Sequence, residues 1–407
     1  MRVCSSAVLL STVVALASLA HPSAQTHVPL PTPGSPLTTT AAGRQVRVVL
    51  VAGGVTNPWN IAFLPGDEGL LVNESGGRLR LVKNGSLVAQ PVWEVPPPAG
   101  RDILHGLVLH PDFAQNRLVY LSYVKRKGDM LSVAVARGKL DGERLEDVKD
   151  IFVADAWETA ANALNGRMIF GPDRTLYLTI GDRDRLVLSD DNSIRMHSQD
   201  LGDHIGKILR LTDEGGVPKD NPFVGRAGAR PEIFTYGHRN PIGLAFHPET
   251  GELWVSDIGP MGGDRLDILR AGRNYGWPLV SMGRNYTGSL VSDQPWWRPD
   301  VEMPRMFWVP SISPAAIAFY TGDKIPEWRG NLFVGALSGQ QLQRVVIRGG
   351  GRGGGGQAEQ RKPMLGELGV RFRDVRQGPD GYLYMATEVQ YGSGKPDGAI
   401  LRIEPAS

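Results

Sequence analysis

The side chains best suited to bind a ligand are arginines at two places in the chain. In the segment RFRD, Arg371 and Arg373 are two residues apart, and an extended backbone would direct both to the same side. A third arginine, Arg239, precedes Asn240 in the segment YGHRN. Guanidinium groups keep their charge and offer paired donors, so three around one space would suit a ligand with several carboxylates. Salt bridges to Asp374 and other acids of the chain are the alternative.

A second candidate is the run DIGPMGGDRLDILRAGRNYGWP, which starts at Asp257. The backbone carbonyls of Gly259 and Pro260 stand on a turn that cannot be a regular strand, and Asp264 follows closely. Hard oxygens on an irregular loop are ligands that calcium prefers. The segment is therefore either a calcium loop or an ordinary long turn, and spacing alone favours the turn.

A third candidate is a single acid, Asp182, which follows Gly181 at the end of a predicted strand. The other acids of residues 181 to 192 match no calcium loop of known spacing, and we expect them to lie in a solvated loop. Burial would have to raise the pKa of Asp182 before it could exchange protons near neutral pH.

A repeated element must position these residues. One sequence pattern occurs six times, and it consists of a polar lead-in, a short apolar run, a tight turn and an alternating strand. The turn residues are Pro65, Pro111, Pro172, Pro248, Thr321 and Pro379. Their separations of 46 to 76 residues give room for four strands each, and such sheets bury both faces when they stack radially. The sequence therefore predicts an all-β fold, a six-bladed β-propeller with four-stranded antiparallel blades.

In a propeller, the loops that enter the innermost strands converge on the central channel. Polar residues at the starts of the six repeats are therefore expected to share one site. These residues are Asn60 and its neighbours, Arg101, His105, Asn165, Arg167, Arg239, Asn240, the segment from Trp308 to Pro314, Arg371 and Arg373.

Composition describes a globular, turn-rich protein. The 407 residues include 51 glycines and 30 prolines, and 41% are hydrophobic. The formal net charge is +2 and no basic block stands out, so we expect a small-molecule ligand and no nucleic-acid partner. Sequence patterns of zinc proteases, serine hydrolases and nicotinamide enzymes are absent.

The N-terminus predicts export to the periplasm or the medium. Arg2 precedes an apolar run over residues 7 to 20, which is shorter than the roughly 20 apolar residues that a membrane span needs. We expect residues 1 to 24 to be a signal peptide whose removal takes away Cys4 and leaves no membrane span. Without that cysteine, the mature chain has no disulfide and no thiolate ligand.

The remaining chain divides into two parts. Residues 25 to 44 are rich in Pro and Thr and are expected to be a flexible leader. Residues 45 to 405 are expected to form the single propeller.

Seven motifs connect the chain to a known family. They are HGLVLHPDFAQNRLVYLSY, GRMIFGPDRTLYLTIGD, DHIGKILRL, VPKDNPFVG, EIFTYGHRNPIGLAFHP, GRNYGWPLVS and RFRDVRQGPDGYLY. With them, the chain resembles the soluble pyrroloquinoline quinone (PQQ) dependent sugar dehydrogenases, the glucose/sorbosone or aldose sugar dehydrogenase family, over about residues 45 to 404. The resemblance implies an exported enzyme that oxidises the anomeric carbon of an aldose, passes hydride to PQQ and is reoxidised by an external electron acceptor.

The resemblance also implies roles for individual residues. Those expected at PQQ, which carries three carboxylates, are Arg239, Asn240, Arg371, Arg373, Trp308 and Arg101. The carbonyls of Gly259 and Pro260 would hold the calcium ion that polarises the quinone, and Asp264 and Tyr275 complete the predicted metal residues.

Several departures from the family pattern concern the chemistry. The family's general base, a histidine four residues before the arginine of its Gly-Arg motif, is here Ala163. Asp182, His105 and His204 are the candidate substitutes, and Arg239 is expected to act beside the base. The family's cofactor-contacting lysine would fall near Ser338, where this chain has no lysine. An Asp-Glu pair in the family's second calcium region is replaced here by Asp264 and Arg265.

Three hypotheses follow. The first is a dehydrogenase for an aldose or related alcohol that uses another base, and the second is a propeller that binds PQQ, calcium or a sugar without turnover. The third is a calcium-dependent, lactonase-like hydrolase, which the arginine-rich channel disfavours.

Overall fold

The computed structural model describes residues 27–96, 103–159, 162–184, 188–293, 296–348, 357–389 and 394–406. Arg101 and the expected signal peptide lie outside these described residues, so their roles stay predictions.

Six antiparallel sheets contain the strands of the described residues. Two strands come first, β1 (Leu37–Ala41) and β2 (Arg44–Val55). Blade 1 contains β3 (Pro58–Phe63), β4 (Leu70–Glu74), β5 (Arg78–Lys83) and β6 (Ser86–Leu87), with β7 (Trp93–Glu94) beside β5. Blade 2 contains β8 (Leu104–Leu109), β9 (Leu118–Lys127), β10 (Met130–Asp141) and β11 (Arg144–Val153). Blade 3 contains β12 (Asn165–Phe170), β13 (Leu176–Ile180), β14 (Lys207–Leu211) and β15 (Ile233–Tyr236).

The second half of the chain completes the ring. Blade 4 contains β16 (Pro241–Phe246), β17 (Leu253–Asp257), β18 (Asp264–Leu269) and β19 (Met306–Trp308). Blade 5 contains β20 (Pro314–Phe319), β21 (Leu332–Ala336), β22 (Leu342–Arg348) and β23 (Gln357–Met364). Blade 6 contains β24 (Arg371–Gln377), β25 (Leu383–Glu388) and β26 (Gly398–Pro405). The innermost strands β3, β8, β12, β16, β20 and β24 each contact the next, and β24 contacts β3. The predicted six-bladed propeller is confirmed.

The two ends of the chain close the ring together. Strand β2 pairs with β26, and β1 pairs with β2, so the sheet of blade 6 has the order β1-β2-β26-β25-β24. Strand β1 lies inside the segment for which the sequence predicts a flexible leader. The ordered sheet therefore begins before residue 45.

Helices are few and short in the described residues. They are α1 (Phe113–Asn116) and three 3-10 segments, Arg195–Gln199, Pro326–Trp328 and Gly366–Leu368. In this part of the chain, no helix combines the length and the apolar character that crossing a membrane requires.

Buried apolar clusters lie at all six junctions between neighbouring blades. Representative pairs in ring order are Leu79 with Leu121, Val133 with Leu178, Ile208 with Val255, Trp254 with Val334, Phe333 with Phe372, and Ala386 with Val72. Burial of apolar surface stabilises by about 25 cal/mol per Å². The packing between blades thus holds the innermost strands in place, and the channel that they surround can carry polar groups.

Candidate active site

A cavity of about 310 Å³ lies where the six innermost strands begin. Every blade contributes a residue from the start of its innermost strand or from just before it: Trp59, His105, Asn165, Asn240, Ser313 and Arg371. The predicted residues His105, Asp182, Arg239, Asn240, Arg371 and Arg373 all line it, as does Ala163. The starts of all six repeats thus meet at one cavity, although Asn60, Arg167 and Trp308, which were also expected there, do not line it.

Two arginines and one acid form the wall on blade 6. The Nε atoms of Arg371 and Arg373 donate to the same atom, Oε1 of buried Glu388, at 2.6 and 3.0 Å. Two guanidiniums and one carboxylate leave this group a net positive charge. The guanidinium of Arg373 also lies 4.8 Å from the ring centre of Trp59. The arginines thus pair with an acid of their own blade and also line the cavity, so the salt bridge does not remove them from the site.

Asp374 is not the partner of these two arginines. It accepts from Nη1 of the buried Arg167 at 2.9 Å and from the backbone N–H of Ile61 at 2.8 Å. Nε of Arg167 in turn donates to the carbonyl of Ile242 at 3.1 Å. Burial lowers the pKa of Arg167 to about 10, against the opposing attraction of Asp374. This network joins blades 1, 3, 4 and 6 across the channel and fixes the strands that carry the cavity.

Asp182 occupies the wall on blade 3, just after β13. Its Oδ2 accepts from the indole N–H of Trp277 at 2.9 Å, and its Oδ1 accepts from the backbone N–H of Asp184 at 3.2 Å. Its own N–H donates to the carbonyl of Arg239 at 2.7 Å. Burial raises the pKa of Asp182 to about 6, and the charge of Asp184 adds to the rise while Arg239 opposes it. The carboxyl can therefore gain and lose a proton near neutral pH.

Ala163 lies directly beside this acid. A Cβ atom built on Gly181 would come within 2.1 Å of the Ala163 carbonyl oxygen, so only glycine fits between the two segments. Ala163 has a φ of 43° and Asn165 a φ of 59°, both in the left-handed region. The turn that carries Ala163 is thus packed against the strand end that carries Asp182, and the side chain at 163 has no proton to exchange.

His105 is the one histidine that lines the cavity in the described residues. Its Nδ1 lies 2.5 Å from the backbone carbonyl of Asn165, and its ring stacks on Trp59 with centres 4.6 Å apart. A carbonyl can only accept, so Nδ1 carries the hydrogen and Nε2 is the basic nitrogen. His204 lies elsewhere, because its Nδ1 accepts from the N–H of Asp155 at 2.9 Å and its Nε2 donates to Glu232 at 3.2 Å. The suggestion that His204 serves as base is therefore wrong.

The predicted metal loop is held by Arg239. Nη1 of Arg239 donates to the carbonyls of Ile258 and Gly259 at 2.8 and 2.9 Å. These oxygens do attract a cation, and in this structure the cation is the guanidinium. Pro260, the next residue, is buried.

Asp264 does not face the cavity. Its carboxylate accepts from the N–H groups of Gly259, Ile312 and Ser313 at 2.8 to 2.9 Å and from the hydroxyl of Ser311. These donors use the oxygens that a metal would need. Asp264 therefore shapes the loop and does not offer itself as a ligand.

Tyr275 is also absent from the cavity lining. Its hydroxyl donates to the carbonyl of Ile268 at 2.7 Å, and its own carbonyl accepts from Arg265. The same guanidinium binds Asp267 Oδ1 at 2.8 Å and the carbonyl of Glu302 at 2.9 Å. A guanidinium already balances these oxygens, so the prediction of Tyr275 as a metal residue does not fit the structure.

Trp308 is a core residue. Its indole N–H donates to Gln343 Oε1 at 2.9 Å, and its ring packs in the cluster between blades 4 and 5. Strand alternation explains the placement, because the neighbouring Phe307 is exposed while Trp308 faces blade 5. The prediction that Trp308 contacts the ligand is not supported.

Sequence reasoning missed three residues at or beside the site, namely Asp184, Trp277 and Glu388. Asp184 was expected in a solvated loop, but it is buried and accepts from Nε of Arg195 at 2.8 Å. Trp59, which was expected as a neighbour of Asn60, lines the cavity. Glu388 could have been found as an acid that ends an apolar strand beside an arginine strand.

The fold and the cavity define a class, a six-bladed propeller with a channel-mouth site that joins a positive wall to a buried acid. Residues 55–402 match the model of the glucose / sorbosone dehydrogenase family, and the chain belongs to this family. The family resemblance predicted from the motifs is confirmed.

Individual relatives agree with this assignment. The chain is 36% identical over 374 residues to aldose sugar dehydrogenase YliI of Escherichia coli, covering 90% of this chain and 94% of that one. The apo-form of the soluble aldose sugar dehydrogenase of Escherichia coli is similar in structure, with a TM-score of 0.79, 34% identity and coverage of 89% and 100%. The PQQ-bound form of aldose sugar dehydrogenase from Streptomyces coelicolor gives a TM-score of 0.67, 27% identity and coverage of 91% and 99%.

Proposed function

We propose that the protein is a PQQ-dependent dehydrogenase that oxidises an aldose or a related alcohol. The observation that carries the proposal is the convergence of Arg239, Arg371 and Arg373 on one cavity, in a family with a PQQ-bound member. PQQ carries three carboxylates, and guanidiniums bind carboxylates through paired, charged hydrogen bonds. The cavity volume also falls in the range of about 300 to 1,000 Å³ that small-molecule sites occupy.

Buried polar atoms support a bound ligand as well. Among the described residues, Trp59 Nε1 and Asn240 Oδ1 are buried and have no hydrogen-bond partner, although both side chains line the cavity. Buried polar groups are usually satisfied, and a polar ligand in the cavity could supply the missing partners. Trp59 Nε1 can donate to a ligand oxygen and Asn240 Oδ1 can accept from a ligand N–H or O–H, so the two atoms fit a polar ligand that carries both kinds of group.

The metal part of the proposal places calcium on the carbonyls of Gly259 and Pro260. Those carbonyls are the kind of oxygen that calcium prefers, and calcium would have to replace the Arg239 guanidinium that the Gly259 oxygen now accepts from. Two protein oxygens are far fewer than the six to eight ligands of calcium, so the ligand and water must provide the others. When bound, PQQ would supply the hydride acceptor and calcium would polarise its carbonyl.

The chain itself would hold the substrate and move the proton. The arginine wall fixes and orients the anionic cofactor, which leaves the side of the cavity at Ala163 and Asp182 for the sugar. As the carbon loses hydride, the carboxylate of Asp182 accepts the proton of the substrate hydroxyl. The raised pKa of about 6 suits this task, because the group is ionised at neutral pH and is still basic enough to take a proton. His105, whose ring lines the same cavity, is the second candidate for this step.

The proposal includes export and an external electron acceptor. Export is supported by the N-terminal pattern and predicts that the mature protein, beginning near residue 25, is found in the periplasm or medium. N-terminal sequencing of protein from those fractions tests it, and an intact Met1 in the cytoplasm would contradict it.

Reconstitution tests the central proposal. Metal-free protein is titrated with PQQ in the presence and absence of calcium, and dye reduction is then measured with a panel of aldoses and alcohols. PQQ binding with reduction supports a dehydrogenase, and absence of PQQ binding overturns the proposal. Binding without reduction supports a non-catalytic binding module, which the alanine at position 163 favours as the second candidate function.

A further inference from the structure

Trp277 contacts the acid and the cations of the active site with a single side chain. Its indole N–H donates to Asp182 Oδ2 at 2.9 Å. The guanidiniums of Arg239 and Arg195 lie 5.5 and 5.8 Å from the centre of its ring. The side chain is only 4% exposed and does not line the main cavity, so a direct contact with substrate is not its role.

The backbone of Trp277 is fixed to the segment that carries Arg239. Its N–H donates to the carbonyl of Gly237 at 2.9 Å. Its carbonyl accepts from the hydroxyl of Ser198 at 2.5 Å and from the amide of Gln199 at 2.6 Å. The indole therefore has little freedom, and the two groups that it contacts are held at a set separation.

The N–H of Trp277 is an uncharged donor to Asp182 among several charged side chains. The charged groups around Asp182 are Arg239, Arg195 and Arg183, which favour its ionised form, and Asp184, which opposes it. An indole N–H can donate but cannot accept, so its hydrogen bond also favours the ionised carboxylate. Unlike the guanidiniums, it does so without a charge that a bound anion could draw away.

We propose that Trp277 is a positioning residue that keeps Asp182 ionised as proton acceptor and, through its ring face, keeps Arg239 in the cavity wall. The inference rests on the proposed role of Asp182. It couples the two sides of the site, because a displacement of the indole would change the acid and the cofactor-binding arginine together.

The variant Trp277→Phe separates the two contacts, since phenylalanine keeps a ring face but has no N–H. Loss of a hydrogen bond to the charged form raises the pKa of Asp182, by about one pH unit if the bond contributes as charged hydrogen bonds do. Asp182 must be ionised to accept a proton, so the acid limb of kcat/KM should move to higher pH by the same amount. The affinity for PQQ should change less than threefold, because the ring face remains.

A purely structural role would lower activity equally at all pH values, and an unmoved acid limb would overturn the proposal. The Asp182→Asn variant marks the limb that belongs to this acid. Trp296→Phe is the matched control, since Trp296 is 65% exposed and its replacement should move nothing. Trp277→Leu, which lacks both contacts, should move the limb and also weaken PQQ binding about tenfold.

Two further measurements test the proposal in other ways, the first without turnover and the second without a Trp277 variant that has to fold. Carbon-13 titration of the aspartate carboxyl groups, with the Asp182→Asn spectrum as assignment, reports the Asp182 midpoint even if the protein oxidises no sugar. Replacement of tryptophan by 5-fluorotryptophan makes the indole N–H a stronger donor in an otherwise intact chain. That midpoint should then move to lower pH, and an unchanged midpoint would count against the proposal.

Discussion

The two walls of the cavity are built in different ways. On blade 6, Arg371, Arg373 and Glu388 stand on the paired strands β24 and β25, where Arg371 lies opposite Glu388 and Arg373 lies at a break in the register. On blade 3, Asp182 and Ala163 stand on connecting segments outside the strands, and the turn at 163 uses left-handed backbone. The wall with the arginine pair thus belongs to the strands of the propeller, whereas the wall with Asp182 belongs to its loops.

This difference bears on how each wall tolerates substitution. A change on β24 would disturb a strand whose neighbours depend on it, while a change in a surface-connecting segment leaves the ring intact. Binding and chemistry can therefore be altered separately in this fold, and the following experiments test that separation.

Removal of the acid should have the largest effect. Asp182→Asn keeps the size of the side chain but cannot accept a proton, so kcat with the best aldose should fall by about 10² to 10⁴. The affinity for PQQ, measured by quenching of protein fluorescence, should stay within a few-fold. If kcat is unchanged, the proton acceptor lies elsewhere, and His105→Gln becomes the variant that identifies it.

Removal of the arginine pair should weaken binding about 10²-fold or more, because each charged hydrogen bond contributes about 1.5 to 3 kcal/mol. Arg371→Ala with Arg373→Ala leaves Glu388 buried without these partners, so the comparison is made in a Glu388→Gln background. Glu388→Gln alone is the control and should tighten PQQ binding, since it removes a competing negative charge. Equal PQQ affinity of the Glu388→Gln protein with and without the two arginine substitutions would refute the proposal that these arginines bind the PQQ carboxylates.

Introduction of a base on blade 3 should raise turnover more modestly. Histidine tolerates left-handed backbone better than most residues, so Ala163→His should fit the φ of 43° at this position and raise aldose kcat about tenfold. Ala163→Gln supplies similar bulk without a group that titrates and should give no gain. Equal rates in the two variants would mean that position 163 is not where the proton leaves the sugar.

The smallest effect concerns the metal. Because Arg239 donates to the Ile258 and Gly259 carbonyls, calcium must displace a guanidinium. Arg239→Gln should therefore bind calcium several-fold more tightly in the absence of PQQ, as measured by calorimetry. An unchanged calcium affinity would indicate that the metal, if bound, does not use these carbonyls.

The fold and the positive wall could be predicted because both repeat or alternate in the sequence. Six turns with similar lead-ins define the blades, and Arg371 and Arg373 fall on one face of an extended strand. Asp264, Tyr275 and Trp308 were misplaced as site residues. The Tyr275 hydroxyl donates to the carbonyl of Ile268, in the strand before it. The side chains of Asp264 and Trp308 bind distant residues, Ser311 and Gln343 respectively. These two pairings depend on the packed ring and leave no local pattern.

The pairing of β2 with β26 has a consequence for the order of events as the protein matures. Strand β2 pairs on one side with β26, the last strand of the described residues. The ring therefore stays open until residues 398–405 are available. Contacts between such distant segments form slowly, because the loop that they close is almost the whole chain. Until then, β2 presents an unpaired edge on which another chain could add. The newly made protein is thus most exposed to aggregation in the interval just before its final strand docks.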